Sequence, residues 1–532
     1  MAEQPKPAVD RKKLEREACD RLADARAEKA KSRLDIEECY YFAAPRRVRS
    51  ASSQTKSSSR PHDGNELQTS LAMEVADDFM TMVIDSFMPR TGKWAERRAD
   101  PYMSEAQKKT VAEVAGPQDE NIFEAIRGSN FYAELGKGGV PDGSIGVMAM
   151  DIKLARPGRP AQCLAIPIRE LEINLGPDGR IDDRFVVRTS SYRKLPALLP
   201  KITLPEKIQK RADKGDKKGV EVRWGHWRIW DRDDDEYWQR VVMVGEEVVH
   251  HEILKGEGSC PLVVGRFGAT PDFAWPDGPM IKALPDLRQV DDIRAGFVEN
   301  IDFTLRAPFT YDDDGTLSFE DGIEPGMGYP RRPGSTRPVT EKIYDPNPLD
   351  SSHFEEMQLE KRIRRLHYVD FPEQLGKTPP TASQWLDEMV EAQKKIGTPG
   401  YSFWREFPYE VFQRFRFIAE QSGLAVPLEI EGKKVSLQAY NPAERAQENQ
   451  DVLTATRVLQ IGGSVFPQTM PVMVDDRATM DNIKAKLGDK IVVMRDPEQL
   501  AQTFDNMSKL AGVMGPRLPG GLTAAATGGS GG

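Results

Sequence analysis

Hydrophobic residues recur every three or four positions between Gly278 and Arg306, and this spacing predicts one long amphipathic helix. The apolar positions are Ile281, Leu284, Leu287, Val290, Ile293, Phe297, Ile301 and Leu305. Pro285 removes a backbone donor and clashes with the preceding turn, so we place it in the first turn or at a kink. From there the helix is expected to be on the order of 30 Å long, which is long for a helix inside a globular core.

A polar segment rich in proline and glycine follows at residues 307–349. Its composition excludes a helix and favours short strands joined by turns, with 309–311 and 339–344 as strand candidates. A second amphipathic helix then begins near a serine cap at 351–352 and ends by Asp370. The pattern therefore predicts a helical hairpin whose polar tip is too poor in apolar residues to form its own core.

Before the hairpin, the pattern predicts helices followed by an antiparallel sheet. A charged helix at 11–42 ends in an aromatic cluster that we expect to dock on the rest of the fold, and further helices are expected at 65–87 and 106–129. From 147 to about 266 short apolar runs are separated by turn signals, which favours the strands of an antiparallel sheet. The strand candidates are 164–168, 185–187, 224–230 and 241–244.

After the hairpin, a loop at 371–380 precedes more helices. One helix is capped by Thr381 or Ser383, and an aromatic helix continues to Gly423. Further helices are expected at 442–460 and 499–510, and a flexible tail rich in glycine and alanine ends the chain. The expected fold class is α+β and predominantly helical.

Composition limits the possible functions. The 532 residues allow perhaps three or four domains by length alone, and 39% hydrophobic residues are enough for a core. The net charge of -9 argues against a protein that holds nucleic acid tightly through its phosphates, because that mode needs a basic footprint. A protein that lets nucleic acid slide past remains compatible with this charge.

The four cysteines show no metal-binding or disulfide pattern. Cys19, Cys39, Cys163 and Cys260 have no CxxC spacing, so reduced thiols of a cytoplasmic protein are the plain interpretation. The chain is charged from Arg11 onward, and no apolar run reaches the length that spans a bilayer. We expect a soluble protein with no secretion signal, no membrane partner and no cofactor.

A glycine cluster around Lys137 invites comparison with a phosphate-binding loop. The Walker A pattern requires Ser or Thr after the lysine, between a strand and a helix, whereas Lys137 stands between glycines. We therefore interpret these residues as turn glycines.

The histidines do not have the spacing of a metal site. His226 and the pair His250 and His251 lack accompanying Cys, Asp or Glu at ligand spacing, so a structural or surface role is favoured over metal ligation. A basic, serine-rich segment at 46–60 could contact nucleic acid, but a solvated mobile loop is the favoured interpretation.

Several stretches, taken in their order along the chain, are similar to a known family. They are Asp63 to Trp94, Ile122 to Asp151, Ala165 to Arg188, Ala283-Leu284-Pro285-Asp286, Pro380-Thr381-Ala382-Ser383, and Pro467 to Pro497. Together they resemble the portal, or head-to-tail connector, protein of short-tailed bacteriophages. The chain departs from that family at Trp275-Pro276-Asp277-Gly278, where a Tyr-Gly-containing start of the first long helix is more usual.

The resemblance implies a homo-oligomeric ring, expected to be a 12-mer, at one capsid vertex of the virion. Double-stranded DNA would pass through the ring during genome packaging and ejection, with no catalytic role for the ring itself. The implied partners are the terminase large subunit, tail adaptor and tail proteins, and the major capsid and scaffolding proteins. The implied location is the head-tail junction of the virion, with assembly in the host cytoplasm.

The resemblance also implies a division of the chain into portal-type segments, with long stem helices, a β-containing wing and clip, and a helical crown. They are the wing at 1–277, stem helix 1 at 278–306, the clip at 307–349, stem helix 2 at 350–370, the tunnel loop at 371–380, the wing helix at 381–423, the crown at 424–510 and the flexible tail at 511–532.

The pattern of the residues supports a ring independently. A long amphipathic hairpin with a polar tip has no second layer to cover its apolar stripe, so the stripe should be buried against neighbouring copies. Cyclic symmetry satisfies this requirement for every copy at once.

Candidate site residues follow from the implied segments. The DNA-channel candidates are Arg362, Arg364, Arg365 and Lys377, and the clip or tail-adaptor interface candidates are Tyr311, Asp312, Asp313, Arg331 and Arg332. The channel cations would make weak, salt-screened contacts with phosphate. An equally open alternative is that these cations form ion pairs between subunits, with Glu355, Glu356, Glu360 or Asp370.

Two other functions compete with the portal hypothesis. A metal-dependent nuclease could use the acidic runs 312–314 or 231–236 to hold Mg²⁺. Two-metal sites draw carboxylates from separated, rigid positions, whereas these residues are consecutive in turn-like sequence, so surface turns are favoured. A non-viral structural scaffold is the third possibility, and it predicts no ring with a DNA-wide channel.

Overall fold

The computed structural model of the chain describes two compact units, Met1–Arg445 and Ala446–Gly532. The described residues are 11–47, 67–98, 103–154, 161–200, 202–230, 236–306, 308–312, 327–331, 341–342, 350–370, 400–426, 429–430, 433–434, 436–439, 442–465, 474–475, 478–480 and 482–483. Helices and antiparallel sheets occur together, with more of the described residues in helices, which confirms the expected α+β class.

The helices flank the sheets and also form a separate hairpin. In chain order they are α1 (Arg11–Ala43), α2 (Leu71–Phe87), α3 (Glu105–Gly128), α4 (Phe131–Gly139), α5 (Asp142–Ile145), α6 (Leu195–Leu198), α7 (Glu206–Asp213), α8 (Pro279–Leu305), α9 (Asp350–Leu366), α10 (Pro408–Gln421) and α11 (Pro442–Val465), with short 3-10 helices at Ile168–Glu170 and Tyr192–Lys194. The start of α3 has a full capping box, in which Ser104 and Gln107 satisfy each other's backbone donors.

The strands form one large antiparallel sheet and several small sheets. They are β1 (Ala95–Arg98), β2 (Val147–Leu154), β3 (Ala161–Ala165), β4 (Leu171–Leu175), β5 (Ile181–Ser191), β6 (Gly219–Ile229), β7 (Tyr237–Val244), β8 (Glu247–Lys255), β9 (Leu262–Arg266), β10 (Phe309–Asp312), β11 (Gly328–Arg331), β12 (Glu341–Lys342), β13 (Glu429–Ile430), β14 (Lys433–Lys434) and β15 (Ser436–Ala439). The five-stranded sheet has the order β4-β5-β6-β7-β8, and the three-stranded sheet has the order β3-β2-β9.

The five-stranded sheet has two different faces because side chains alternate along a strand. On one face, Phe185 and Trp227 join a buried cluster with Leu14 and Leu22 of α1. The opposite face carries Arg184 beside a second buried apolar cluster that includes Val222 and Val242. The antiparallel pairing confirms the β region expected between 147 and 266, although the candidate strand 164–168 overlaps strand β3 only at 164–165.

Two local expectations were wrong. The second helix begins at Leu71 rather than near Asn65, and residues 67–70 before it are not helical. The glycines around Lys137 lie inside helix α4 instead of a turn. Gly138 is needed for close packing, since a Cβ at this position would lie 2.5 Å from the Cβ of Ala165, whereas a Cβ at Gly136 would meet no atom within 4 Å.

The helical hairpin expected from the sequence is present. Helix α8 confirms the predicted first helix almost to the residue, with Gly278 and Arg306 as its caps. Helix α9 ends at Leu366, four residues earlier than expected, because Tyr368 adopts a left-handed conformation with φ 61°. The expected tunnel loop, the start of the expected wing helix and the C-terminal tail lie outside the described residues.

Candidate functional site: the helical hairpin and its tip

Helices α8 and α9 run antiparallel and contact each other along their length. Arg294 Nη1 lies 2.7 Å from Glu356 Oε1, and the rings of Phe297 and His353 are 6.5 Å apart. As the residue number rises along α8, the partner's number falls along α9, which defines the antiparallel pairing.

The two ends of the hairpin differ in how well their apolar residues are covered. At the base, α8 buries Met280, Ala283, Leu284, Leu287 and Val290. Toward the tip the same stripe is exposed, with Val298, Ile301 and Leu305 being 47%, 50% and 77% exposed. On α9, Phe354 and Met357 are 63% and 57% exposed. We call these five exposed residues the distal stripes.

Two carboxylates are buried inside the hairpin and hold arginines that extend into solvent. Glu356 is 4% exposed and pairs with Arg294, whose side chain is half exposed. Asp286 is 6% exposed, and its Oδ2 lies 3.1 Å from Arg362 Nε. Burying an unpaired carboxylate would be costly, so each arginine stabilises the packing of the two helices.

The candidate channel arginines contact three different elements of the same chain. Arg362 pairs with Asp286 of α8, Arg364 lies 3.6 Å from Glu74 of α2, and Arg365 lies 3.5 Å from Asp370. Arg364 also lies 3.7 Å from a second α2 carboxylate, that of Asp78.

The spacing of these arginines explains their different directions. Residues three apart share a side of a helix, whereas residues two apart do not. Arg362 and Arg365 therefore lie on one side of α9 and Arg364 on another. The fourth channel candidate, Lys377, is outside the described residues.

The sequence analysis missed the partners on α2. Glu74 and Asp78 are four residues apart on a helix, and this spacing places two carboxylates on one face. That signal was present in the sequence, but nothing in it showed that this face would meet α9.

The tip candidates lie on two adjacent strands. Tyr311 and Asp312 end β10, and Arg331 ends β11, which runs parallel to it. Asp312 and Arg331 are register partners across this pair. The two remaining candidates, Asp313 and Arg332, are outside the described residues.

Other candidate groups from the sequence are explained by local structure. His226 is buried, and no group of three or more His, Cys, Asp or Glu in the described part of the chain could hold a metal ion. Of the acidic run 231–236, the structure describes Glu236, which pairs with Arg228 at 2.9 Å. In the basic segment 46–60, the described Arg47 donates to the buried carboxylate of Asp142.

Comparison with known proteins identifies the family of this chain. Residues 15–491 match the family of bacteriophage head to tail connecting proteins. The chain belongs to this family. The family resemblance seen in the sequence of this connector is therefore confirmed over most of its length.

No curated protein sequence matches the connector chain. Among solved structures, the chain is similar to a chain of the neck of an empty gene transfer agent (GTA) particle, a structure computed with C6 symmetry. The two chains share 11% sequence identity with a TM-score of 0.31, and the match covers 78% of this chain and 90% of the GTA chain. The connector chain is also similar to a chain in the virion of a native GTA particle, with 11% identity, a TM-score of 0.27, and coverage of 87% and 99%.

None of the described helices of the connector combines the length and the apolar composition that crossing a bilayer requires.

Proposed function

We propose that the chain is a portal subunit, and that copies of it form a closed ring, expected to be a dodecamer, at the head-tail junction of a phage-type particle. The ring is a passive conduit for double-stranded DNA during packaging and ejection and has no catalytic role. It serves as the docking platform for the terminase large subunit and for tail proteins, within a vertex of capsid and scaffolding proteins.

The observation that carries this proposal is the exposure of the distal stripes in a single chain. Five large apolar side chains on two neighbouring helices are about half exposed or more. Exposed apolar surface of this kind marks interaction sites in soluble proteins. In a cyclic ring, the distal stripes of one copy are covered by the next copy, and no copy is left with an open face.

The ion pairs of the hairpin are consistent with a channel that binds DNA only weakly. Arg362, Arg364 and Arg365 all have carboxylate partners in the same chain. Tight binding to DNA requires cations that neutralise phosphates and release counterions. Arginines whose charge is already balanced make only weak, salt-screened contacts.

On this proposal the segments named from the sequence have distinct roles. Helices α8 and α9 form the stem, and the three-stranded sheet at the tip is the clip. The register pair Asp312 and Arg331 would then lie on the surface offered to terminase and tail adaptor.

The mass of the purified chain in solution tests the proposal. A ring of twelve 59.6-kDa chains has a mass of roughly 700 kDa, which native mass spectrometry measures directly, and negative-stain images should show a central hole. A stable monomer or dimer at all salt concentrations would overturn the proposal.

A pair of variants tests the role of the distal stripes. Ile301→Asp places a charge on the surface that the next copy should cover, and we expect it to shift the chain toward the monomer. Leu34→Asp is the matched control, because Leu34 is a helical residue that is 82% exposed and lies outside the hairpin. Equal loss of the ring in both variants would contradict the assignment of the interface to the stripes.

A further inference from the structure

A pocket of about 100 Å³, lined by both polar and apolar side chains, lies between the two main sheets, far in sequence from the hairpin. The three-stranded sheet contributes Asp151 and Lys153, and the five-stranded sheet contributes Arg188, Trp224, His226 and Arg240. Apolar side chains complete the wall. The pocket belongs to a single chain, so it does not depend on ring formation.

His226 is the buried polar group at this pocket. It lies in register between Arg184 of β5 and Arg240 of β7, so that arginines flank it on both neighbouring strands. The residue is 4% exposed, and neither ring nitrogen has a hydrogen-bond partner among the described residues. Burial lowers the pKa of His226 well below its usual value, and Arg240 and Lys153 lower it further. The ring is therefore neutral and presents one N–H donor.

Three of the surrounding cations are balanced by nearby carboxylates. Lys153 pairs with Asp151. Arg188 Nε lies 2.9 Å from Glu170 Oε2. Arg184 forms a bidentate ion pair with Glu410, in which Nη1 and Nη2 lie 2.6 and 2.8 Å from the two carboxylate oxygens. These pairs contribute no net charge to the pocket.

Of two other arginines near His226, one has no carboxylate partner among the described residues, and the other has a long ion pair that leaves one donor free. Arg414 is buried, and among the described residues it donates only to the carbonyl oxygens of Ile152, Gly258 and Ser259. Arg240 reaches its carboxylate partner, Glu252, at 3.5 Å, and its buried Nε has no partner in the described part of the chain. The neighbourhood of His226 therefore carries excess positive charge in a region of low dielectric.

We propose that this pocket binds a small oxyanion of the inorganic phosphate type, with Arg240 Nε and a ring N–H of His226 as donors. A buried charge is stable only when it is paired and hydrogen-bonded, and an oxyanion would accept from both unpartnered donors at once. Asp151 Oδ1 also lines the pocket without a hydrogen-bond partner among the described residues, so the bound form must be a protonated oxyanion such as hydrogen phosphate, whose hydroxyl donates to that oxygen. Ordered water can satisfy such donors, but it does not balance the charge. The site is a binding site, and no chemical step is proposed for it.

Equilibrium dialysis of the full chain with radiolabelled inorganic phosphate tests the proposal. Ionic strength is held constant with sodium chloride, so that general screening is the same in every sample. We expect saturable binding of one phosphate per chain at millimolar concentration or below. Binding that rises linearly without saturation would overturn the proposal, as would displacement of the phosphate by duplex DNA, which would assign it to a nucleic-acid surface.

Two variants locate the binding site. Arg240→Gln removes one charge-assisted donor and should weaken phosphate binding by about tenfold or more. Arg223→Gln is the matched control, because Arg223 is an arginine of β6 that precedes Trp224, points to the other face and pairs with Glu221. Equal binding by the two variants would overturn the site. If Arg240→Gln does not fold, His226→Gln is measured in the same way and must also bind more weakly than the control.

Discussion

The Nε atom of Arg362 lies 3.1 Å from Oδ2 of Asp286, across the helical hairpin. The carboxylate comes from the buried face of α8, whereas the side chain of Arg362 is 68% exposed. The buried carboxylate of Asp286 therefore balances the charge of one exposed arginine of α9. This arrangement leads to a test of the conduit hypothesis.

Asp286→Asn should make the chain hold DNA more tightly. The substitution releases Arg362 from its ion pair, so that its charge is free to contact a phosphate. Each additional cation that contacts phosphate makes the slope of the logarithm of the binding constant against the logarithm of the salt concentration more negative by about 1. The measurement is binding of a duplex of arbitrary sequence over a range of salt concentrations.

The control for this prediction is Asp292→Asn, which makes the same change in net charge on the same helix. Asp292 is exposed and holds none of the candidate arginines. Identical salt dependences for the two variants would show that Asp286 does not restrain Arg362.

Two glycines of α4 should respond in opposite directions to alanine. Gly136 has no atom within 4 Å of an added Cβ, so Gly136→Ala should stabilise the fold by about 0.5–1 kcal/mol through its higher helix propensity. A Cβ at Gly138 would lie 2.5 Å from that of Ala165, so Gly138→Ala should destabilise by about 1–3 kcal/mol. Urea unfolding followed by circular dichroism measures both, and the same sign for both variants would contradict the packing argument.

Asp119→Asn should cost much more stability than a comparable surface change. Asp119 and Arg97 have side chains that are 0% and 2% exposed, and their Oδ1 and Nε atoms are 2.5 Å apart. Removing one charge of a buried pair leaves the other unpaired, at a cost of about 3–5 kcal/mol. Glu206→Gln breaks an exposed pair with Lys210 and should cost less than about 1 kcal/mol. Denaturant midpoints compare the two, and similar losses would refute the prediction.

His367 should make the fold less stable as the pH falls. Burial lowers its pKa from 6.5 to about 4 in the folded chain, so the unfolded chain binds the proton more readily between these values. The stability contributed by the neutral ring is complete above pH 6.5 and is lost as the pH falls toward 4, by about 3 kcal/mol in total.

Replacing His367 tests this titration. In His367→Gln the loss of stability between pH 7 and pH 4 should be smaller than in the parent chain, because the group that titrates has been removed. His353→Gln, in helix α9 with a side chain that is 65% exposed, serves as the control. Equal pH dependence in all three chains would show that His367 does not titrate as described.

Much of the secondary structure could be predicted from local signals. Apolar residues three and four positions apart predicted α8, because this spacing places them on one face of an α-helix. Short apolar runs separated by turn signals, such as Phe185-Val186-Val187, predicted strands of an antiparallel sheet, because a chain that turns back after each run pairs its strands in opposite directions. The early end of α9 was not predicted, because the residue that adopts the left-handed conformation there is Tyr368 and not glycine, the residue that usually marks such a helix end.

The candidate site was predicted less completely. The sequence identified Arg362, Arg364 and Arg365 as cations on one helix, but not the carboxylates that each contacts. Two of these arginines have partners on other helices, so their pairing depends on how the helices pack.

The sequence by itself determined the hairpin, the antiparallel β region and the family, because these depend on periodicity and on the order of motifs along the chain. Tertiary structure alone decided that Gly138 packs against Ala165, that Asp312 lies beside Arg331, and that arginines flank His226. These relationships join residues that are distant in sequence, and their energies depend on burial and distance, which a linear pattern does not contain.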